Sequence, residues 1–446
     1  MIKRLFERSN QLLAVAAVAA LAGCVEAESE PPKFRLNMVQ VSTNQLVPDH
    51  QQAIANILEG MFGTPDEPFA LPETGLDLRK LKMSAGPTWS DERGEKHGLY
   101  RRHCAHCHGI SGGGDGPTAS ILNPYPRDYR PGVYKFKSTF NPMEPTDEDL
   151  YHTLMVGIPG TAMPAFSVLP PDEVASLLEY VKYLSMRGQM ETALVGYVVD
   201  NLDYDPVTGK AITPLDPVSD EAQREEIMAL LTDDVVARWS PEEEVAVVPE
   251  EADLPASDRP AAELAASVKA GRELFYGTKA NCIKCHGPTG LGDGQQDDFD
   301  IWSKAVKTFE DGNVSLASSI EEDAKNLGEL EGEELETATA ELAAKKRELA
   351  ERLAIADGLL PPRNAIPRNL RFNMFRGGRR PLDLYRRVHQ GIAGTPMPAG
   401  GPAAPGAQGT LTEQEMWQIV DYVRSLPFEP ASQPQMKPVN FEAVVN

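Results

Sequence analysis

The sequence predicts an all-α fold: two helical modules of one design, the second enlarged by a helical insertion, joined by an acidic linker. Three observations predict it. The motif Cys-x-x-Cys-His occurs twice, as Cys104-Ala105-His106-Cys107-His108 and as Cys282-Ile283-Lys284-Cys285-His286. Behind each motif runs a matched series. Asp149-Leu150-Tyr151, Gly157-Ile158, Gly160-Thr161 and Met163-Pro164-Ala165 recur 234 positions later as Asp383-Leu384-Tyr385, Gly391-Ile392, Gly394-Thr395 and Met397-Pro398-Ala399. Self-similarity of this kind means two copies of one unit. Each copy then closes on apolar residues at helical spacing: Val174, Leu177, Val181 and Leu184 in the first, Met416, Ile419, Val420 and Val423 in the second.

Residues 1–8 are short and positively charged, and residues 11–21 are apolar and Ala-rich. That stretch is too short to cross a bilayer, which takes about 20 helical residues, and fits the apolar region of a secretory signal. It ends in Leu21-Ala22-Gly23-Cys24, which resembles the lipobox of bacterial lipoproteins. The resemblance implies a signal peptide over 1–23 and an acylated Cys24. Several acyl chains on one residue anchor a protein stably. The expectation is an exported chain, lipid-anchored to a bacterial membrane, with its modules in the periplasm or at the outer face. Ordinary cleavage nearby, leaving a free cysteine, is the alternative.

Residues 24–87 read as a tether and an N-terminal extension, with a helix over 49–61 and an irregular, Pro-bearing stretch over 62–72. Residues 88–187 form the first module. Its opening helix is expected over 90–102, capped by Ser90 or Asp91, and its closing helix over 172–186, started by Pro170-Pro171. Residues 188–265 are the acidic linker, with a helix over 216–231 and a partly disordered acidic run over 241–260. Residues 266–430 form the second module and 431–446 a C-terminal tail. A helix over 267–276 opens the second module. Its closing helix, 412–426, begins with a capping-box pattern, Thr412 and Glu415, and stops at Pro427. The Cys-x-x-Cys-His motifs are offset by 178, whereas Pro126-Arg127 and Pro367-Arg368 are offset by 241. A 63-residue insertion therefore lies between His286 and Pro367, occupying about 295–360. Its stretch 318–357 is rich in Ala, Glu, Leu and Lys and reads as a helix or a hairpin broken near Gly328 or Gly332. It serves either as a docking arm or as a helix lying on its own module.

Both Cys-x-x-Cys-His motifs read as c-type haem attachment. Two thiols three residues apart on a helical turn reach the two vinyl groups of one haem, and the adjacent His supplies the proximal nitrogen. Cys104, Cys107, Cys282 and Cys285 are thus the covalent anchors, and His108 and His286 the proximal ligands, of two c-type haems. A redox Cys-x-x-Cys pair does not need the His, and one four-cysteine zinc site would require both pairs to converge. Met163 and Met397 occupy equivalent repeat positions before proline and are the candidate second axial ligands, since a soft neutral thioether favours ferrous iron. The alternative is that these methionines fill core gaps. His152 and His389 are rival ligands, but they do not align with each other. His106, between the cysteines, is assigned no ligand role.

Motif, opening helix, loop methionine and closing helix together resemble the class I cytochrome c fold, over roughly 88–187 and 266–430. The first copy departs in carrying Lys96 rather than Gly eight residues before Cys104, so its helix crossing is expected to be looser. Arg127 and Arg368 could pair with haem propionates, with surface ion pairing as the alternative. The resemblance implies an electron carrier rather than an enzyme, working between a quinol-oxidising complex or dehydrogenase and a terminal oxidase. Two other readings share the motifs: a di-haem cytochrome c peroxidase, and a fixed subunit of a respiratory complex. The net charge of −23 excludes a nucleic-acid footprint and suits either a basic redox partner or simple solubility.

Overall fold

The computed structural model describes residues 31–239, 246–249, 255, 258–404 and 406–429. Cys24, the signal peptide and the tail 431–446 lie outside them, as does most of the acidic run 241–260. Among the described residues no helix is long and apolar enough to cross a membrane.

The N-terminal extension supplies helices α1 (Met38–Thr43), α2 (Pro48–Phe62) and α3 (Leu78–Ser84). Asn37 caps α1 and Asp77 caps α3 through their side chains. Residues 90–102 do not form the expected helix. They make a hairpin, β1 (Trp89–Ser90) with β2 (Lys96–His97), followed by the short α4 (Leu99–His103). The cause is local. The Asp91 carboxylate accepts the backbone N–H groups of Arg93 and Glu95, at 2.9 and 2.8 Å, offering a turn in place of the helix ladder. Lys96 therefore sits in a strand, with its Nζ 3.3 Å from the Glu173 carboxylate. α5 (Ala105–His108) carries the first motif and α6 (Asp147–Val156) precedes the Met163 loop. α7 (Pro171–Asn201) closes the module and runs well past the expected end at 186. Its C-terminal half stays apolar on one side, burying Met190, Leu194, Val195 and Val198.

A small hairpin follows, β3 (Tyr204–Asp205) with β4 (Lys210–Ala211), and then α8 (Glu221–Ala229), capped by Asp220. Ile227, Leu231, Val235 and Trp239 join the same buried cluster as α2, α3 and α7. One core therefore gathers the extension, the first module and the chain up to Trp239.

The second module opens with α9 (Ala261–Tyr276), carries its motif on α10 (Ile283–His286), and continues through α13 (Pro381–Gln390) to α14 (Glu413–Ser425). The capping box on α14 forms as expected: Glu415 N–H donates to Thr412 Oγ1 at 3.2 Å, and Thr412 N–H to Glu415 Oε2 at 2.8 Å. α9 crosses α14 around Phe275, Met416, Ile419 and Tyr422, all buried. Gly271 makes the crossing possible, because a Cβ there would fall on the Gln418 carbonyl oxygen of α14.

Between α10 and α13 the insertion folds as a hairpin of α11 (Ile301–Asn326) and α12 (Gly332–Asp357). It does not stand free. Arg352 donates through Nε to Asn313 Oδ1 at 2.6 Å, within the hairpin, and through Nη1 to the Ser42 carbonyl at 3.1 Å, in α1. Arg347 reaches the Val207 carbonyl at 2.9 Å. The insertion of the second module thus straps across to the N-terminal extension. Residues 135–141 of the first module also meet the second. Gln390 Nε2 donates to the Lys137 carbonyl at 2.6 Å, Asn141 Nδ2 to the Gln390 carbonyl at 3.2 Å, and Lys135 pairs with Asp300 at 3.0 Å.

Gly271→Ala is expected to destabilise the chain by about 3 kcal/mol through overpacking. Gly60→Ala, in α2 with open space where its Cβ would go, should be neutral or stabilising by up to about 1 kcal/mol. Denaturant unfolding of both variants checks this; equal effects would show that the α9–α14 crossing is not the constraint.

Candidate haem sites

Each motif occupies a single helical turn. His108 N–H and His286 N–H donate to the carbonyls of Cys104 and Cys282, both at 2.9 Å. One turn carries both thiols and the imidazole. Cys104 is buried and its thiol is pushed up to about 12, first by burial and then by Cys107. Burial likewise lifts Cys282 to about 11.

The two imidazoles are held alike. His108 Nδ1 lies 2.9 Å from the Arg127 carbonyl and His286 Nδ1 lies 3.1 Å from the Arg368 carbonyl. A carbonyl can only accept, so each Nδ1 is the protonated nitrogen and each Nε2 keeps its lone pair. Burial, outweighing the carbonyl bond, brings His108 down to about 4 and also lowers His286. Both rings are neutral at pH 7, as a metal ligand must be. Tyr129 stacks on His108 at 4.6 Å and 19°.

What brings the carbonyls there is a glycine-rich turn that the motif reading passed over. Gly109, Gly112, Gly114, Asp115 and Gly116 recur as Gly287, Gly290, Gly292, Asp293 and Gly294, at the same 178-residue offset as the motifs. The signal was present in the sequence as spacing. Gly114 has φ +74°, and a Cβ there would lie 2.6 Å from the Pro126 carbonyl oxygen; Gly292 has φ +79° and stands in the same way against Pro367. The turn packs directly on the Pro-Arg element, and the next carbonyl meets the histidine.

The methionine loops are also built alike. Thr161 Oγ1 donates to the Ile158 carbonyl at 2.8 Å and accepts Met163 N–H at 3.1 Å. Thr395 Oγ1 donates to the Ile392 carbonyl at 2.8 Å and accepts Met397 N–H at 3.3 Å. Phe166 N–H on the Leu154 carbonyl, at 2.8 Å, is matched by Gly400 N–H on Val388, at 2.9 Å. Both methionines are half-buried, and Met163 packs on the first core.

The remaining named residues lie elsewhere. His152 is half-buried on α6. His389 is buried between Tyr385 and Phe140, with ring centroids at 5.7 and 5.4 Å. The Arg127 guanidinium covers the Trp302 ring at 3.5 Å, and burial brings Arg127 down to about 10, so it remains charged at pH 7. Arg368 Nε donates to the Met374 carbonyl at 3.1 Å.

Paired thiols on one turn and a neutral imidazole with its Nε2 lone pair available fit a haem bound through two thioethers and an axial nitrogen. The fold and these sites define a helical protein that binds haem covalently. The family model described as Cytochrome c matches residues 92–185 and 268–427, together more than half of the chain; the chain belongs to the cytochrome c family. No curated protein matches it. A chain of the Kuenenia stuttgartiensis reducing HAO-like protein complex is similar at 22% identity and a TM-score of 0.42, covering 76% of this chain and 97% of that one.

Thr161→Val and Thr395→Val each remove the hydroxyl that pins a methionine amide. Each should speed hydrogen exchange at its own Met163 or Met397 amide about tenfold, for a bond worth about 1.4 kcal/mol, and leave the other loop unchanged. Unaltered protection in both would mean the threonines do not hold the loops.

Proposed function

We propose that this cytochrome c carries electrons through two haems, one per module. Cys104 and Cys107, and Cys282 and Cys285, form the thioether bonds. His108 and Met163 in the first module, and His286 and Met397 in the second, provide the axial atoms. The observation that carries this reading is the equivalence of the two half-sites: each proximal Nδ1 is committed to a carbonyl, and each methionine ends a loop closed by the same threonine bonds. Bound haem supplies a one-electron couple, and a thioether ligand raises its potential. The chain's own part is to hold the imidazoles neutral and oriented, to present the sulfurs on loops stiffened by Pro164 and Pro398, and to keep the attachment turns rigid.

The reading extends to location and partners. The leader and Cys24 favour export and acylation, which would tether the carrier to a bacterial membrane with both modules in the water phase. The acidic balance of −23 favours a basic docking face on a redox partner. A donor such as a quinol-oxidising complex or dehydrogenase, and a terminal oxidase as acceptor, suit two potentials raised by sulfur ligation.

Replacing Cys104 and Cys107 by Ala, or Cys282 and Cys285 by Ala, should each lower the covalent haem content from two per chain to one by intact mass. Met163→Ala and Met397→Ala should each remove part of the far-red Met-to-iron charge-transfer band; loss of neither part would end the His/Met assignment. Peroxide turnover by the unaltered protein well above that of free haem would favour the peroxidase reading instead. Cys24→Ser should release the protein from the membrane fraction.

A further inference from the structure

The side chains of the two Pro-Arg elements reach the other module. The Arg368 carbonyl serves His286 of the second module, yet its guanidinium lies on the methionine loop of the first, with Nη2 at 2.5 Å from where a Gly160 Cβ would stand. The Arg127 carbonyl serves His108 of the first module, and its guanidinium covers Trp302 of the second at 3.5 Å. The Trp302 ring edge, in turn, lies 2.8 Å from where a Cβ on Gly394 would be, in the Met397 loop. The crossing is reciprocal but not identical: Arg368 meets the distal loop of the first module directly, and Arg127 meets Trp302, which packs on the distal loop of the second.

Cations collect where the elements cross. Lys135 lies 5.2 Å from the Trp302 ring and is an electrostatic neighbour of both Arg127 and Arg376, while Arg376 also neighbours Arg368. Asp300 pairs with Lys135 at 3.0 Å. Asp128, the other carboxylate near Arg127, is committed to Arg130 through two bonds of 2.9 and 2.8 Å. Arg376 Nε and Trp302 Nε1 are buried N–H groups with no hydrogen-bond partner. An unpaired buried donor is costly, and four cations in one half-buried seam repel. A chain with 66 acidic against 43 basic side chains had carboxylates to spare for this place. The seam is built for anions that arrive with a ligand, and the carboxylates that accompany haem are its propionates.

We propose that this seam is a shared anion site for the propionates of both haems, and that through it each arginine raises the potential of the haem in the opposite module. The inference rests on the two-haem reading. Reduction removes one positive charge from the iron centre, so a nearby fixed cation favours the reduced form. Arg368 and Arg127 act here as positioning residues.

The test is a spectroelectrochemical titration of the full-length holoprotein. Met163→His, which exchanges a sulfur ligand for imidazole, assigns the first-module wave. Arg368→Gln should lower the first-module wave by about tenfold in its reduction equilibrium, which is about 59 mV for one electron. Arg368→Lys, which keeps the charge, should hold that wave near its original position. Arg127→Gln should lower the second-module wave. If Arg368→Gln moves only the second-module wave, or neither, the crossed coupling is wrong, and so it is if Arg368→Lys behaves like Arg368→Gln. Should Arg368→Gln not accumulate, Trp302→Phe removes the unpaired N–H together with one ring of the platform under Arg127 and should still lower a wave; two unmoved waves would overturn the shared site. Absence of two titrating haems would instead overturn the two-haem reading itself.

Discussion

The hydrogen bond from each proximal imidazole to the carbonyl after its Pro-Arg proline organises the rest of the molecule. It fixes which ring nitrogen carries the proton, and so which one keeps its lone pair. It requires that a carbonyl be delivered to the floor of the site, and in the second module that carbonyl belongs to a residue 82 positions away from His286. Everything inserted between them must return the chain to the same place. The glycine-rich turn does this from the motif side, by letting Gly292 lie directly on Pro367. The long insertion is tolerated because loop length adds little closure entropy, and because α11 and α12 find packing of their own.

That packing gives the insertion a structural task. Arg352 is buried, lies over Phe309 at 4.7 Å, and bonds both Asn313 and the Ser42 carbonyl. The strap starts beside Trp302, at the seam, and ends on the N-terminal extension. The extension is itself bound into the first core through Ile54, Leu58 and Phe62 against α7. The second module thereby holds the first at two places, the seam and the strap, and the crossing of the two arginines depends on that registration. A flexible tether between independent modules would leave the guanidiniums without fixed neighbours.

Much of this was legible in the sequence because repetition was. The attachment motifs, the two methionine loops and the closing helices are local patterns, and each folded in step with its copy. The capping box at Thr412 and Glu415 formed because it is a contact between neighbours. The 90–102 stretch misled because helix-compatible residues around Asp91 gave way to an Asp-centred turn, whose bonds span only two to four residues and outcompete the ladder locally. The end of α7 was missed for another reason. Its last turns bury Met190 and Val198 in the core shared with the extension and residues 227–239, and no window of sequence displays that partner. The side-chain directions of Arg127 and Arg368 were beyond reach in the same sense: the repeat identified the pair, but only the packing of one module on the other decides where a guanidinium lies.

The distribution of charge follows from the same constraint. A strongly acidic chain gains solubility and long-range attraction for basic partners, but acidity near a haem would favour the oxidised iron and lower its potential. Placing Arg127, Lys135, Arg368 and Arg376 together at the seam separates the two demands. The surface keeps its negative balance, where solvent and salt screen it over about 8–10 Å, while the cations sit at the half-buried junction, where screening is weaker and each charge acts at closer range.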